Sequence, residues 1–119
     1  MARKQETGAA GERLARNFLE SQGLIFHAAN VHSPLGEIDL VMEDPRTKEL
    51  VFVEVKTRQG TAFGTPEESV TARKRAKLRA LVVWYCQREK WRGQVRFDVV
   101  GVLAQPGSEP TITHTPYIA

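Results

Sequence analysis

The sequence predicts an α/β fold in the order αβββαββ, a mixed central sheet flanked by helices. Two stretches repeat their apolar residues at helical spacing, others alternate them every second residue, and turns bearing Gly or Pro separate the two kinds. A length of 119 residues suits one domain over 1–119, and a 41% hydrophobic content supplies an ordinary core.

Each element has its own signal. Residues 9–22 read as a helix, because Leu14 with Phe18 and Ala15 with Leu19 form i,i+4 pairs while Arg13, Asn17 and Glu20 are polar. Gly23 is placed to end it. Leu24 to Val31 reads as a short strand, and Ser33-Pro34-Leu35-Gly36 carries turn chemistry. From Glu37 to Glu43, Ile38, Leu40 and Met42 point one way and Glu37, Asp39 and Val41 the other. Asp44 to Glu49 makes a tight connection to a strand over Leu50–Arg58, with Val51, Val53 and Val55 on one face and Phe52, Glu54 and Lys56 on the other. The pair is expected to form a β-hairpin. Gln59 to Glu68 holds Gly60, Gly64 and Pro66 without an apolar period and is expected to be a mobile loop. A second helix follows from about Ser69 to Glu89, its apolar residues Val70, Leu78, Leu81, Val82 and Tyr85 turned to the sheet. Val95, Phe97 and Val99 then alternate with Arg96, Asp98 and Val100 in a strand over Gln94–Leu103, and Thr111–Thr115 adds a last strand after Pro106-Gly107.

Composition narrows the function classes. There is no apolar run of about 18 residues and no apolar stretch behind the charged start, so a soluble cytoplasmic protein without a membrane partner is expected. The single cysteine, Cys86, permits no internal disulfide and no Cys-based zinc site, and its apolar surroundings suit a buried small hydrophobe. The net charge of +3 conceals an asymmetry. Ser69 to Arg92 carries eight basic residues against Glu89 alone, or +7, which leaves −4 for the remainder. One segment is thus suited to a polyanion while another concentrates carboxylates, although a solvated helix face would read the same by charge alone.

The carboxylates suggest the chemistry. Glu54 and Lys56 share a strand face, and hairpin pairing can bring Asp39 beside them. Two carboxylates and the Val55 carbonyl would supply oxygen ligands to Mg²⁺ or Mn²⁺, with water and a phosphate oxygen completing the shell. Lys56 would orient or deprotonate the attacking water, or stabilise charge on the phosphate. A Glu-x-Lys on a strand also arises simply to cover a solvent face. The neighbours here favour a site, because Val51-Phe-Val-Glu-Val-Lys-Thr-Arg58 is suited to a central strand, where unpaired charges are costly. The spacing, Asp39 then fourteen residues then Glu54-x-Lys56, resembles the PD-(D/E)xK nuclease signature, with Ile38 in place of its proline.

The resemblance extends along the chain. Gly8-Ala-Ala-Gly-Glu12, Asn30, Gly36-Glu-Ile-Asp-Leu40, Val51–Arg58, Gly64, Val70 with Lys74, and Arg96-Phe-Asp-Val-Val100 resemble the bacterial YraN family, which is similar to archaeal Holliday-junction resolvases. The resemblance implies a restriction-endonuclease-like fold, action on branched or otherwise structured DNA, and dimer formation. It implies that Glu12 joins Asp39, Glu54 and Lys56 as a site residue, although a first-turn acid also complements a helix dipole. Glu37 is either an outer ligand or a cover for the sheet edge.

Among the remaining candidates, Arg58, Arg73, Lys74, Arg75 and Lys77 are expected to contact phosphates without reading bases. Asp98 is expected to anchor Arg96, Arg58 or another cation, with a place near the site as the alternative, Trp84 and Trp91 to be core or interface aromatics, and His27, His32 and His114 to be surface or turn residues without metal-ligand spacing. The leading expectation is a metal-dependent endonuclease acting on structured DNA. A non-catalytic nucleic-acid-binding module of the same fold, serving repair or recombination, is the alternative, and a scaffold docking an acidic partner is a third.

Overall fold

The structure, a computed structural model, describes residues 4–59, 72–104 and 107–118. Its elements follow the expected order: α1 (Lys4–Ser21), β1 (Ile25–Ser33), β2 (Gly36–Asp44), β3 (Glu49–Gln59), α2 (Ala72–Glu89), β4 (Val95–Ala104) and β5 (Thr111–Thr115). The loop expected over Gln59–Glu68 lies outside the described residues beyond Gln59, as do Val70 and the expected start of the second helix at Ser69. Among the described residues no helix is long and apolar enough to cross a membrane.

The five strands lie in the order β1-β2-β3-β4-β5, antiparallel throughout except for the central pair β3 and β4. Parallel neighbours need a crossover, and α2 supplies it. The two helices serve separate apolar layers. Ala15 and Leu19 of α1 pack with Leu40, Met42, Val51, Val53, Val100 and Val102, while Leu81 and Tyr85 of α2 pack with Val31, Ile38, Val41, Leu50 and Phe52. Both faces of the central strands are covered, which is why Val51-Phe-Val reads as a continuous apolar run.

Helix α1 begins at Lys4, a turn earlier than its apolar pattern predicts, and its Ala15 and Leu19 are buried against the sheet. It ends as expected at Gly23, whose φ of 96° is left-handed. Gly23 N–H donates to the Glu20 carbonyl at 3.0 Å and Leu24 N–H to the Leu19 carbonyl at 3.1 Å, and Leu24 then packs in the same layer as Leu19. This is a Schellman cap.

Two irregularities in the sheet were not legible in the alternation. The β1–β2 register slips between Phe26 and Ala28, so Phe26 joins the α1 layer and Ala28 the α2 layer. The second lies opposite Asp39. Asn30 adopts a left-handed φ of 51°, the β2–β3 ladder ends at Leu40 with Val53, and Ile38 packs on the α2 side rather than with Leu40 and Met42 as expected. Strand β2 leaves β3 there, which breaks the two-residue period. Each ladder bond given up costs about 1 kcal/mol. Each buried aliphatic side chain in the two layers contributes roughly 1.5–3 kcal/mol, so the sheet tolerates an open end between β2 and β3.

Candidate active site

The opening between β2 and β3 is where the acidic residues gather. Asp39 Oδ2 accepts a hydrogen bond from Val55 N–H at 2.9 Å, so a side chain replaces the strand partner that β2 has withdrawn. One residue along, Glu54 points to the α2 side of β3. Its Oε1 receives the Lys74 ammonium from α2 and lies 3.5 Å from the Lys56 ammonium. Its Oε2 is buried and has no hydrogen-bond partner among the described residues. A buried carboxylate oxygen without a donor is costly, so the position favours a positive ligand.

Glu12 approaches from the other side of the opening. The turn of α1 that carries it sits so close to β3 that any side chain at Gly11 would run into the Thr57 hydroxyl. Burial raises the Glu12 carboxyl above its ordinary range, the Asp39 charge raises it further, a hydrogen bond from the Asn30 side chain opposes the rise, and Glu37 adds to it. Asp39 is also raised, first by burial, against the pull of the Val55 hydrogen bond, with Glu54 and Glu37 repelling its charge and Lys56 favouring it. Desolvation and mutual repulsion thus dominate the two carboxylates.

These residues fit a hard divalent cation. Mg²⁺ is commonly held by one or two carboxylates with water completing its shell, so Asp39 and Glu54 suffice without a protein cage. Among the described residues no group of three or more His, Cys, Asp and Glu side chains forms such a cage. The fit rests on the partnerless Glu54 oxygen and on the repulsion that a cation would relieve.

The expected phosphate contacts separate into two groups. Lys74 faces the opening, where its ammonium is paired with Glu54. The signal for this was present: Lys74, Leu78, Leu81 and Tyr85 share one helical stripe, so the stripe that packs on the sheet carries Lys74 into the opening. Lys77 borders the same opening next to Gly36, while Arg73 and Arg75 are exposed on α2. Arg58 is exposed and donates to the Thr57 carbonyl at 3.1 Å. Glu37, exposed and within 3.1 Å of His32, borders the opening.

A model of the uncharacterised protein family UPF0102 matches residues 11–102. A UPF0102 protein of Nocardia farcinica is 46% identical over 93% of this chain and 87% of its own length. The chain belongs to this family. A relative from Beutenbergia cavernae is 44% identical over 96% of both chains. Among solved structures, a Holliday junction resolvase from Archaeoglobus fulgidus is similar over 87% of this chain and 75% of its own, with 18% identity and a TM-score of 0.38. The family match spans Glu12, Asp39, Glu54, Lys56 and Lys74.

The other charge cluster is structural, as expected for Asp98. Arg96 donates to Asp98 through Nε at 3.1 Å and Nη2 at 3.2 Å, and through Nη1 to Asp44 at 3.1 Å and Glu49 at 3.3 Å. His114, expected at the surface, is a half-buried member of this cluster with Nε2 2.7 Å from Asp98 Oδ2. Its place on β5 beside β4 brings it there, which residue spacing does not reveal. Tyr117 also escaped notice: its N–H donates to Asp98 and its hydroxyl to Glu49 at 2.7 Å. His27 is paired with Glu43 at 2.8 Å on β1. Trp84 and Trp91 pack against the α2 layer, and Cys86 is half-buried there, its thiol pushed up by burial.

Proposed function

We propose that the chain is a metal-dependent endonuclease that hydrolyses phosphodiesters in structured or branched DNA. The observation that carries this reading is that Asp39 and Glu54 sit at one opening, Asp39 bound to Val55 N–H, Glu54 with Lys56 3.5 Å from its Oε1 and its Oε2 buried without a partner among the described residues. Asp39, Glu54 and the Val55 carbonyl would hold Mg²⁺ or Mn²⁺. When bound, the cation supplies Lewis-acid polarisation of the phosphate and a more acidic water. Lys56 places positive charge beside the phosphate oxygens, where charge develops in the transition state. Glu12 accepts hydrogen bonds from water at the far side of Asp39 and so helps to orient the nucleophile. Lys74 is paired with Glu54; a bound cation would compete with it for that carboxylate, and the freed ammonium would then contact the phosphate. Arg58, Arg73, Arg75 and Lys77 extend the basic surface along the strand backbone without reading sequence. The preference for branched DNA rests on the resemblance in motif and spacing alone.

The test is incubation with four-way junctions, flaps and single strands, with Mg²⁺ or Mn²⁺ and with EDTA. Cleavage is expected only with metal, and is expected to be lost in Asp39→Ala and Glu54→Ala. Binding that survives EDTA and Asp39→Ala, with no cleavage under any condition, would replace this reading with a non-catalytic binding module.

A further inference from the structure

A cavity of about 210 Å³ opens beside the acidic residues, between α2 and the sheet. Its charged lining is Glu37, Asp39, Glu54, Lys74, Lys77 and Asp98, and its apolar lining includes Phe52, Leu78, Phe97 and Ile118. The helical stripe that brings Lys74 into the site continues one turn later as Leu78, so charge gives way to apolar surface over about 5.4 Å. That gradient matches a nucleotide, whose phosphate and base are separated by one sugar. The cavity is smaller than the roughly 300–1,000 Å³ of drug-sized ligand sites, so it has room for one planar heterocycle and not for a base pair.

We propose that this cavity receives a single unpaired nucleobase from the strand being cut, held while the adjacent phosphate lies at Asp39 and Glu54. The proposal rests on the nuclease reading and gives it a substrate class: DNA in which the nucleotide beside the cut is unpaired or can be turned out of the helix. Phe97 offers a partly exposed ring to the base and is itself supported by Phe52, whose ring centroid lies 5.7 Å away. A base gains from such a face whatever its identity. The apolar side chains Phe52, Leu78, Phe97 and Ile118 carry no hydrogen-bonding groups to read a base edge, so their contact with a base does not depend on its identity. The lysines of the lining set its orientation, since they favour the phosphate end of the nucleotide beside them and the base against the apolar side chains.

The experiment places 2-aminopurine, unpaired, beside the cleavage position of a gapped or branched duplex and titrates the protein in Ca²⁺, without turnover. Emission is expected to rise severalfold on binding, and to stay unchanged when the same base sits in a continuous duplex. Leu78→Trp, which fills the apolar part of the cavity, is expected to abolish the rise while binding to the DNA persists. Leu78→Ala, which leaves the space open, is expected to retain the rise, and circular dichroism checks that both variants are folded. An abasic nucleotide at the same position requires no variant: it is expected to weaken wild-type binding about tenfold, the contribution of one stacked base, and to leave Leu78→Trp unaffected. Equal affinity for the abasic and intact strands, or a full emission rise in folded Leu78→Trp, overturns the proposal. The nuclease reading fails separately. Its failure is an emission rise without any cleavage in Mg²⁺, and metal-dependent cleavage without an emission rise sinks the base pocket alone.

Discussion

Arg96 and Glu54 lie on neighbouring strands of one sheet, yet the charges around them are balanced in opposite ways. Around Arg96 each acidic group meets a donor. Burial would raise the Asp44 carboxyl, but hydrogen bonds from the Arg46 backbone and side chain and from Arg96 outweigh it and hold Asp44 below its ordinary range. A hydrogen bond from Tyr117 leads the lowering of Glu49, burial opposes it, and Thr47 and Arg96 reinforce it. Around Glu54 the carboxylates are crowded instead. Asp39 and Glu12 are raised, and Glu54 Oε2 lacks a partner among the described residues. The cluster around Arg96 lowers its acids, whereas the proposed cation site leaves Asp39 and Glu12 raised, as perturbed groups at functional sites often are.

The sharpest way to break the contrast is to remove the centre of the satisfied cluster. Arg96→Met is expected to destabilise the protein by about 3–5 kcal/mol, because Asp98 and Asp44 are left buried without their cation. Urea unfolding measures this, and a loss below about 1 kcal/mol would mean that His114 and Arg46 satisfy the acids unaided. The opposite result is expected at the candidate site. Asp39→Asn and Glu54→Gln should lower metal-dependent cleavage by about 100- to 1,000-fold, the scale of losing one preorganised electrostatic group, while leaving the melting temperature unchanged or higher. A marked drop in melting temperature in both would make these acids structural.

A smaller effect tests the role of Lys74. Lys74→Met removes the ammonium that competes with a cation for Glu54, so Mn²⁺ binding without DNA should tighten about two- to fivefold, as for a partly exposed ion pair. Titration calorimetry reads it, and weaker Mn²⁺ binding would show that Lys74 prepares Glu54 for the cation rather than competing with it. The smallest effects lie in pH. The lowered Asp44 and Glu49 contribute stability above the ordinary carboxylate range and lose it as pH falls through their depressed folded values. Asp39 and Glu12 have the opposite sign: their raised folded values favour the protonated fold, so stability falls as pH rises from the ordinary carboxylate value through the raised one. Asp39→Asn should therefore flatten the stability profile at weakly acidic pH and leave the acid limb unchanged, as followed by thermal melts across that range.

The order of elements was legible because each carries its own period: Leu14, Phe18 and Leu19 on α1, Val51 to Lys56 on β3, and Leu78 to Tyr85 on α2. The grouping of Asp39, Glu54 and Lys56 was legible too, since a two-residue period and a hairpin are local properties of the chain. Ile38 was misplaced because its neighbour Asp39 bonds to Val55 N–H instead of continuing the ladder, and alternation has no term for a strand that leaves its partner. Lys74 was read as a phosphate contact because charge is counted along the sequence, whereas its pairing with Glu54 depends on how α2 lies over β3. His114 and Tyr117 reach Asp98 only through the β4–β5 pairing and the segment after it. Local periodicity thus determined the strands, the helices and the acidic pair. The packing of α1 and α2 on opposite faces decided the rest: which charges meet, which oxygen is left without a partner, and where a cavity opens beside it.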